Sequence, residues 1–198
     1  MKGVLYIISG PAGVGKGTIV SNLIKKNSNL KLSISKTTRK PRFNEIDGVN
    51  YFFTTKEDFE KEIKEGNFLE YAIYNNNYYG TPKDFVLKTL NEGHDVILEI
   101  ETQGALSVKQ NFDDSVLIFI LPPSLTELKN RLYKRGTETD DEINARLNIA
   151  QKEIEKIHLY DYFIINDYLD NAVDIVEKII IAEKQRTKRF DVKQFLKE

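Results

Sequence analysis

The segment Gly10-Pro11-Ala12-Gly13-Val14-Gly15-Lys16-Gly17-Thr18 follows the apolar run Val4-Leu5-Tyr6-Ile7-Ile8. It precedes a stretch with Ile19, Val20, Leu23 and Ile24 on one helical face. Strand, glycine-rich loop and helix in that order constrain the fold more than any other feature of the chain. The glycines let the backbone turn tightly, so that several N–H groups converge on one point. The helix adds partial positive charge at its first turn, and Lys16 adds a flexible cation. Such a unit cradles phosphate.

The pattern G-x-x-x-x-G-K-[ST] would place a hydroxyl directly after the lysine. This chain has Gly17 there and Thr18 one step later. The GKGT ending resembles the loop of adenylate kinases and of other nucleoside monophosphate kinases, and alone it specifies only a phosphate binder. Mg²⁺ would then be held largely through water and phosphate oxygens, as that ion tolerates.

A chain of 198 residues, 40% of them apolar, fits one domain or a core with inserted lobes and excludes global disorder. A net charge of −1 argues against a nucleic-acid or membrane-surface binder. The absence of cysteine excludes disulfides and thiolate metal sites and suits a reducing cytoplasm. His94 and His158 stand alone, without metal-ligand spacing, and read as surface or satisfied core residues. The start, Met1-Lys2 and a short apolar run, leads into the phosphate loop rather than a cleavage site, and no segment is long enough to span a bilayer. The expectation is a soluble cytoplasmic protein.

Apolar runs at 4–8, 96–100, 116–121 and 162–165 read as buried strands. Helical patterns fall at about 17–26, 83–92, 102–110, 125–134, 140–157 and 171–190. This alternation predicts an α/β fold, a parallel sheet covered on both faces. The stretch 33–82, rich in Tyr, Phe, Asn and Thr, breaks the rhythm as an inserted lobe. Its one clear helix begins near Thr55, with Thr54 and Glu57 at capping-box spacing and Gly66 as its stop. Ser124 with Glu127 and Thr139 with Glu142 mark two further helix starts, joined through Arg135-Gly136-Thr137 as a mobile flap. The basic tail Lys184–Arg189 reads as a solvated helix end.

The segment 33–42, SISKTTRKPR, holds four cations, Lys36, Arg39, Lys40 and Arg42. A nucleic-acid patch, a localisation signal or a solvated surface would each use such a cluster. Here Arg39 and Arg42 straddle Pro41, which stiffens the segment. Two guanidinium forks held apart by a rigid turn suit a terminal phosphate monoester. The hydroxyls of Tyr51 and Tyr79 can donate to the same phosphate.

The motifs S-x-S-x-T-T-R-x-P-R, G-x-x-Y-x-F, F-L-E and N-Y-Y-G-T follow the phosphate loop in this order. Downstream come LEIETQGA at 98–105, Pro122-Pro123-Ser124, Arg131-x-x-x-Arg135-Gly136-Thr137-Glu138-Thr139 and Asn166-Asp167. The ordered set, from Gly10 to Asp167, resembles the guanylate kinase family. The resemblance implies a P-loop NTPase-type parallel sheet with an inserted GMP-binding lobe and a helical lid, and transfer of the ATP γ-phosphate to GMP with Mg²⁺ required. It divides the chain into a core (1–33, 83–124, 158–198), a GMP lobe (34–82) and a lid (125–157). Substrates would be ATP and GMP, with no nucleic-acid or membrane partner; monomer and homo-oligomer stay open.

Site roles carry over onto matching positions. Gly10, Pro11, Ala12, Gly13, Val14, Gly15, Lys16, Gly17 and Thr18 would hold the ATP phosphates, with Asn166 near the nucleotides. Arg39, Arg42, Tyr51 and Tyr79, with Glu45 and Gly80 beside them, would grip GMP. Glu70, Ser35 and Thr81 would read guanine. Lys16, Arg39, Arg131, Arg135 and Arg146 would carry the catalytic charge. Glu99 and Glu101, on one face of a strand end, would orient Mg²⁺ or its waters or touch the acceptor; the alternative is pairing with the flap arginines. Many family members carry aspartate where this chain has Glu101. No metal ligand is fixed, and Thr18 and Glu99 are the candidates.

The role of Glu70 has a physical logic of its own. Guanine presents N1–H and an exocyclic NH₂ side by side, and one carboxylate accepts both. Adenine sets a lone pair at that position, leaving a buried charge unmatched. A solvated helix-end carboxylate is the plainer reading of the residue by itself. Two rival functions remain at this stage: a kinase for another monophosphate, and a non-catalytic guanylate kinase-like binding module.

Overall fold

The computed structural model describes residues 2–74, 76–135 and 139–196, without the side chains of Arg135 and Gln194. The chain opens with β1 (Leu5–Ser9), α1 (Lys16–Lys26), β2 (Leu30–Leu32), β3 (Lys36–Thr37) and β4 (Phe52–Phe53). It continues through α2 (Lys56–Lys64), β5 (Phe68–Tyr74), β6 (Asn77–Pro82), α3 (Lys83–Asn91) and β7 (Asp95–Glu99). Then come α4 (Thr102–Asn111), β8 (Val116–Leu121), α5 (Leu125–Arg135) and α6 (Asp140–Ile154). The end is formed by β9 (Tyr162–Ile165), α7 (Leu169–Lys184) and α8 (Val192–Phe195).

The main sheet has the order β2-β7-β1-β8-β9 and is parallel throughout. Alternation along each strand sends side chains to opposite faces. Tyr6, Ile8, Ile97, Ile118 and Ile120 pack with Val20 and Leu23 of α1 and Val173 and Val176 of α7. Leu5, Ile7, Val96, Leu98 and Leu117 pack with Val86 and Leu90 of α3 and Ala105 and Val108 of α4. Full burial of each such side chain contributes about 1.5–3 kcal/mol, which explains why these strands read as continuous apolar runs. β1 lies between β7 and β8, so the loop after it opens where the strand order reverses, the usual place for a ligand in such sheets.

A second sheet, β4-β3-β6-β5, is built on the β5–β6 hairpin. Phe59 of α2 is fully buried beneath it, stacked on Phe68 at 4.3 Å and Tyr78 at 5.1 Å. Thr37 Oγ1 donates to the Tyr78 carbonyl at 2.9 Å and ties the basic segment to the hairpin.

Several details correct the sequence reading. β2 completes the main sheet as its edge, although its three residues are too few to show a period. Thr55, not Thr54, caps α2: its hydroxyl accepts from the Asp58 N–H at 3.1 Å, one register later than the Thr54–Glu57 spacing. Thr139 and Glu142 do form a reciprocal capping box, and the Ser124 hydroxyl accepts from the Glu127 N–H at 3.0 Å. The 140–157 and 171–190 helices end earlier, at Ile154 and Lys184, each followed by a short 3₁₀ turn. Of the expected Arg135-Gly136-Thr137 joint, Gly136 and Thr137 lie outside the described residues.

The basic tail is not a solvated helix end. Glu183, 1% exposed, pairs with Arg189 at 3.2 Å and Arg186 at 3.3 Å. Lys188 and Arg189 also reach Asp114, at 2.8 and 2.7 Å. The chain curls back after α7, and charge separated by about 75 positions in sequence becomes one network. Among the described residues, no helix is long and apolar enough to cross a membrane.

Candidate active site

The phosphate loop leaves β1 at Ser9 and enters α1 through Gly15, whose φ of +98° is left-handed backbone open to glycine at little strain. Lys16 folds its ammonium over the loop and donates to the carbonyls of Gly10 at 2.6 Å and Pro11 at 3.3 Å. From behind, Asn166 Nδ2 donates to the Val14 carbonyl at 2.8 Å. Arg131 donates to that same carbonyl at 3.3 Å and to the Asn166 carbonyl at 2.9 Å. Leu128 and Leu132 of α5 close against Gly13.

On the opposite wall, Arg39 is bound by Glu45 at 2.8 Å and by the Lys40 carbonyl at 2.7 Å, with its guanidinium 5.4 Å from the Tyr51 ring centre. The second oxygen of Glu45 accepts the Arg42 N–H at 2.7 Å. Glu45 thus organises the arginine turn from within. The Arg39 hydrogen bond holds its carboxyl below the usual range. Tyr51 and Tyr79 meet edge to face at 5.9 Å, and burial pushes the Tyr51 hydroxyl up.

Glu70 stands opposite Thr81 in the β5–β6 register, and Thr81 Oγ1 donates to it at 2.7 Å. At 7% exposure it is a buried strand residue, which overturns the solvated helix-end alternative. Burial raises its pKa, and the Thr81 hydrogen bonds draw it back in part. Its other oxygen presses on Gly104: a Cβ there would sit 2.7 Å away.

Glu99 ends β7, whereas Glu101 lies past the strand, immediately before α4 and without a side-chain hydrogen bond to the helix end. Burial raises the Glu99 pKa, with Lys16 opposing and Glu101 adding to the rise. A Cβ at position 17 would lie 3.3 Å from the Glu99 carboxylate, so Gly17 keeps open the space between helix and carboxylate. Among the described residues no group of three or more His, Cys, Asp or Glu could hold a metal. Thr18 and Glu99 do line one cleft beside the loop. Two hard oxygen donors next to a phosphate cradle fit Mg²⁺, which keeps most of its waters.

These walls enclose one cleft of about 650 Å³. Ala12, Gly13, Gly15, Lys16, Gly17 and Thr18 line one part; Ser35, Arg39, Arg42, Glu45, Tyr51, Glu70, Tyr79 and Gly80 line the other. Glu99, Glu101 and Arg146 line it too. Thr81 stands behind Glu70, and Gly10, Pro11, Val14, Arg131 and Asn166 support the loop rather than line the opening. The side chain of Arg135 lies outside the described residues. Ser33, Asn50, Gln103 and Gly104 line the cleft as well and were not singled out from sequence. Ser33, Gln103 and Gly104 sit inside the motifs at 33–42 and 98–105, but only the fold shows which way they face.

A parallel sheet with a glycine-rich loop after its central strand, opening on a nucleotide-sized cleft, defines a P-loop NTPase-type protein. The guanylate kinase family model matches residues 2–183. A guanylate kinase of Caldanaerobacter subterraneus subsp. tengcongensis is 55% identical over 95% of this chain and 91% of that relative. One from Oceanobacillus iheyensis is 53% identical over 99% and 95%. The crystal structure of guanylate kinase from Anaplasma phagocytophilum superposes with a TM-score of 0.83 at 30% identity, covering 100% of this chain and 95% of that one. The chain belongs to the guanylate kinase family.

Proposed function

We propose that this chain transfers the γ-phosphoryl group of ATP to GMP, giving ADP and GDP. The observation that carries the reading is Glu70, buried and oriented by Thr81, in the same cleft as the Lys16 loop. Both partial sites, one for a polyphosphate and one for a 6-oxo purine, open on a single space of nucleotide dimensions.

In this reading the loop N–H groups and Lys16 hold the triphosphate. Arg39, Arg42, Tyr51 and Tyr79 hold the GMP phosphate. Glu70 accepts guanine N1–H and NH₂, and Ser35 donates to O6. A GMP phosphate oxygen attacks the γ-phosphorus in line as the bond to the β,γ-bridging oxygen breaks. That oxygen is already anionic, so no general base is needed. Catalysis is alignment and charge neutralisation by Lys16, Arg39 and Arg146. Mg²⁺, where bound, would be held by Thr18, Glu99, water and phosphate oxygens and would supply charge neutralisation at the phosphates. The residue blocks 34–82 and 125–157 act as GMP lobe and lid around the core. We place the reaction in the cytoplasm, a compartment that suits a cysteine-free chain.

Calorimetric titration with GMP and AMP tests the reading. Binding of GMP at least about 10²-fold tighter than AMP is expected from paired hydrogen bonds to a buried carboxylate. Equal affinities would remove the base-reading role of Glu70.

A further inference from the structure

We propose that Asn166 and Arg131 are positioning residues that lock the Val14–Gly15 peptide of the phosphate loop, so that the Gly15 N–H faces the bound triphosphate. The proposal rests on the loop being the ATP phosphate site.

The Val14 carbonyl receives two side-chain donors, Asn166 Nδ2 at 2.8 Å and Arg131 Nη1 at 3.3 Å. Arg131 is itself committed, through Nη2 to the Asn166 carbonyl at 2.9 Å and through Nε to Glu127 at 3.0 Å. Asn166 is anchored in turn: it is 7% exposed, and its N–H donates to the Leu121 carbonyl at 2.8 Å where β8 and β9 end. The lock is therefore fastened to the sheet and to α5, not to another loop.

In a trans peptide the C=O and N–H point in opposite directions, and the described residues contain no cis bond. Holding the Val14 oxygen from behind aims the Gly15 N–H into the loop's hollow, which Gly15 lines. A peptide preceding glycine rotates at little steric cost, and Gly15 is at φ +98°. Once rotated, its carbonyl would face the phosphate oxygens and repel them. The loop needs glycine to close tightly, and the same glycine makes this peptide the one most in need of restraint. Asn166 sits close enough to supply that restraint, since a Cβ on Gly15 would lie 2.6 Å from its Nδ2. The Arg131 guanidinium reaches the loop through the Val14 and Asn166 carbonyls, so in this arrangement it acts through the backbone.

Calorimetric titration of the full chain with ATP, inorganic tripolyphosphate and GMP tests the assignment. Asn166→Ala and Arg131→Ala each weaken ATP and tripolyphosphate alike by about tenfold, the scale of a lost hydrogen bond, and leave GMP within about twofold. The double variant loses little more than the weaker single one, because both donors serve one carbonyl. Arg131→Lys, which keeps one donor, recovers part of the loss. ATP weakened with tripolyphosphate unchanged would assign Asn166 to the adenine and overturn the proposal. Loss of kcat at unchanged ATP affinity in Arg131→Ala would place that guanidinium on the transferring phosphoryl and overturn it equally. Asn166→Asp keeps the volume and replaces donor by acceptor; it serves if the alanine variant unfolds, and unchanged tripolyphosphate binding there also refutes the lock. A wild-type chain that binds tripolyphosphate but does not phosphorylate GMP would defeat the substrate reading and leave the positioning role standing.

Discussion

Thr81 donates its hydroxyl to Glu70 at 2.7 Å across the β5–β6 ladder, fixing one carboxylate oxygen and leaving the other turned toward Gly104. A carboxylate held this way has little freedom to move, which suits the proposed reading of two adjacent donors on guanine. Glu70→Gln replaces one acceptor by a donor. It is expected to lower kcat/KM for GMP by ~10²-fold or more while the KM for ATP stays within about twofold. Steady-state kinetics with each substrate varied in turn check this, and equal losses for both substrates would remove the base-reading role.

The same burial predicts a pH dependence. Glu70 has its pKa raised by desolvation, only partly offset by Thr81, so the unliganded fold favours the protonated form. The charged form therefore costs stability, increasingly as pH rises past the ordinary carboxylate value. GMP supplies donors that favour the charged form. Its affinity should fall as pH drops through the range just above that ordinary value, with a proton released on binding there. Calorimetry in two buffers of different ionisation enthalpy measures the proton. Glu99 is shifted the same way, and Glu70→Gln separates the two: a pH profile surviving that substitution belongs elsewhere.

Gly104→Ala tests the seat of the carboxylate. A Cβ 2.7 Å from Glu70 Oε2 must displace it. A shift of that order should raise the KM for GMP by roughly 10–100-fold, with the melting temperature little changed. Unaltered GMP kinetics would mean that the carboxylate is not held against this glycine.

Lys16→Ala removes the cation that folds over the loop carbonyls of Gly10 and Pro11. Turnover should fall by ~10³-fold or more in a chain that still melts cooperatively. Retained turnover would detach the loop from catalysis.

The C-terminal network predicts a loss of stability without a loss of activity. Arg189→Ala leaves Glu183 buried without its closest cation and should cost about 3 kcal/mol, a drop of roughly 10 °C in melting temperature. Burial alone would raise the Glu183 pKa, but Tyr162, Arg189 and Arg186 outweigh it and hold the carboxyl below its usual range. Its contribution is thus present above the ordinary carboxylate pKa and lost as pH falls through the depressed value. Turnover at a temperature well below melting should match wild type.

What was legible in the sequence follows from the range of each interaction. The phosphate loop is local, and nine consecutive residues carry nearly all of its logic. The strands β1, β7 and β8 announce themselves because burial on both faces leaves nearly continuous apolar runs. By contrast β9, read as a buried strand from its apolar run, is an edge strand that buries Ile164 and exposes Phe163 and Ile165. β2 does not, since Leu30-Lys31-Leu32 has no length in which to show a pattern. The cap of α2 slipped by one because Thr54 and Thr55 stand side by side, each followed three residues later by an acid. Glu70 is assigned to the base by the motifs around it, but its burial is visible only once the hairpin sets Thr81 against it, 11 positions on. Asn166 and Val14 are 152 positions apart, and Arg189 and Asp114 are 75 apart. No periodicity or motif connects such pairs.

The central claim is that one cleft joins a polyphosphate loop to a guanine-reading carboxylate. Its most direct test is product analysis after incubating the chain with ATP, Mg²⁺ and an equimolar mixture of GMP, AMP, CMP, UMP and dTMP. GDP should form with matching ADP while the other monophosphates stay unconverted. Conversion of AMP ahead of GMP, or no monophosphate converted at all, would contradict the account.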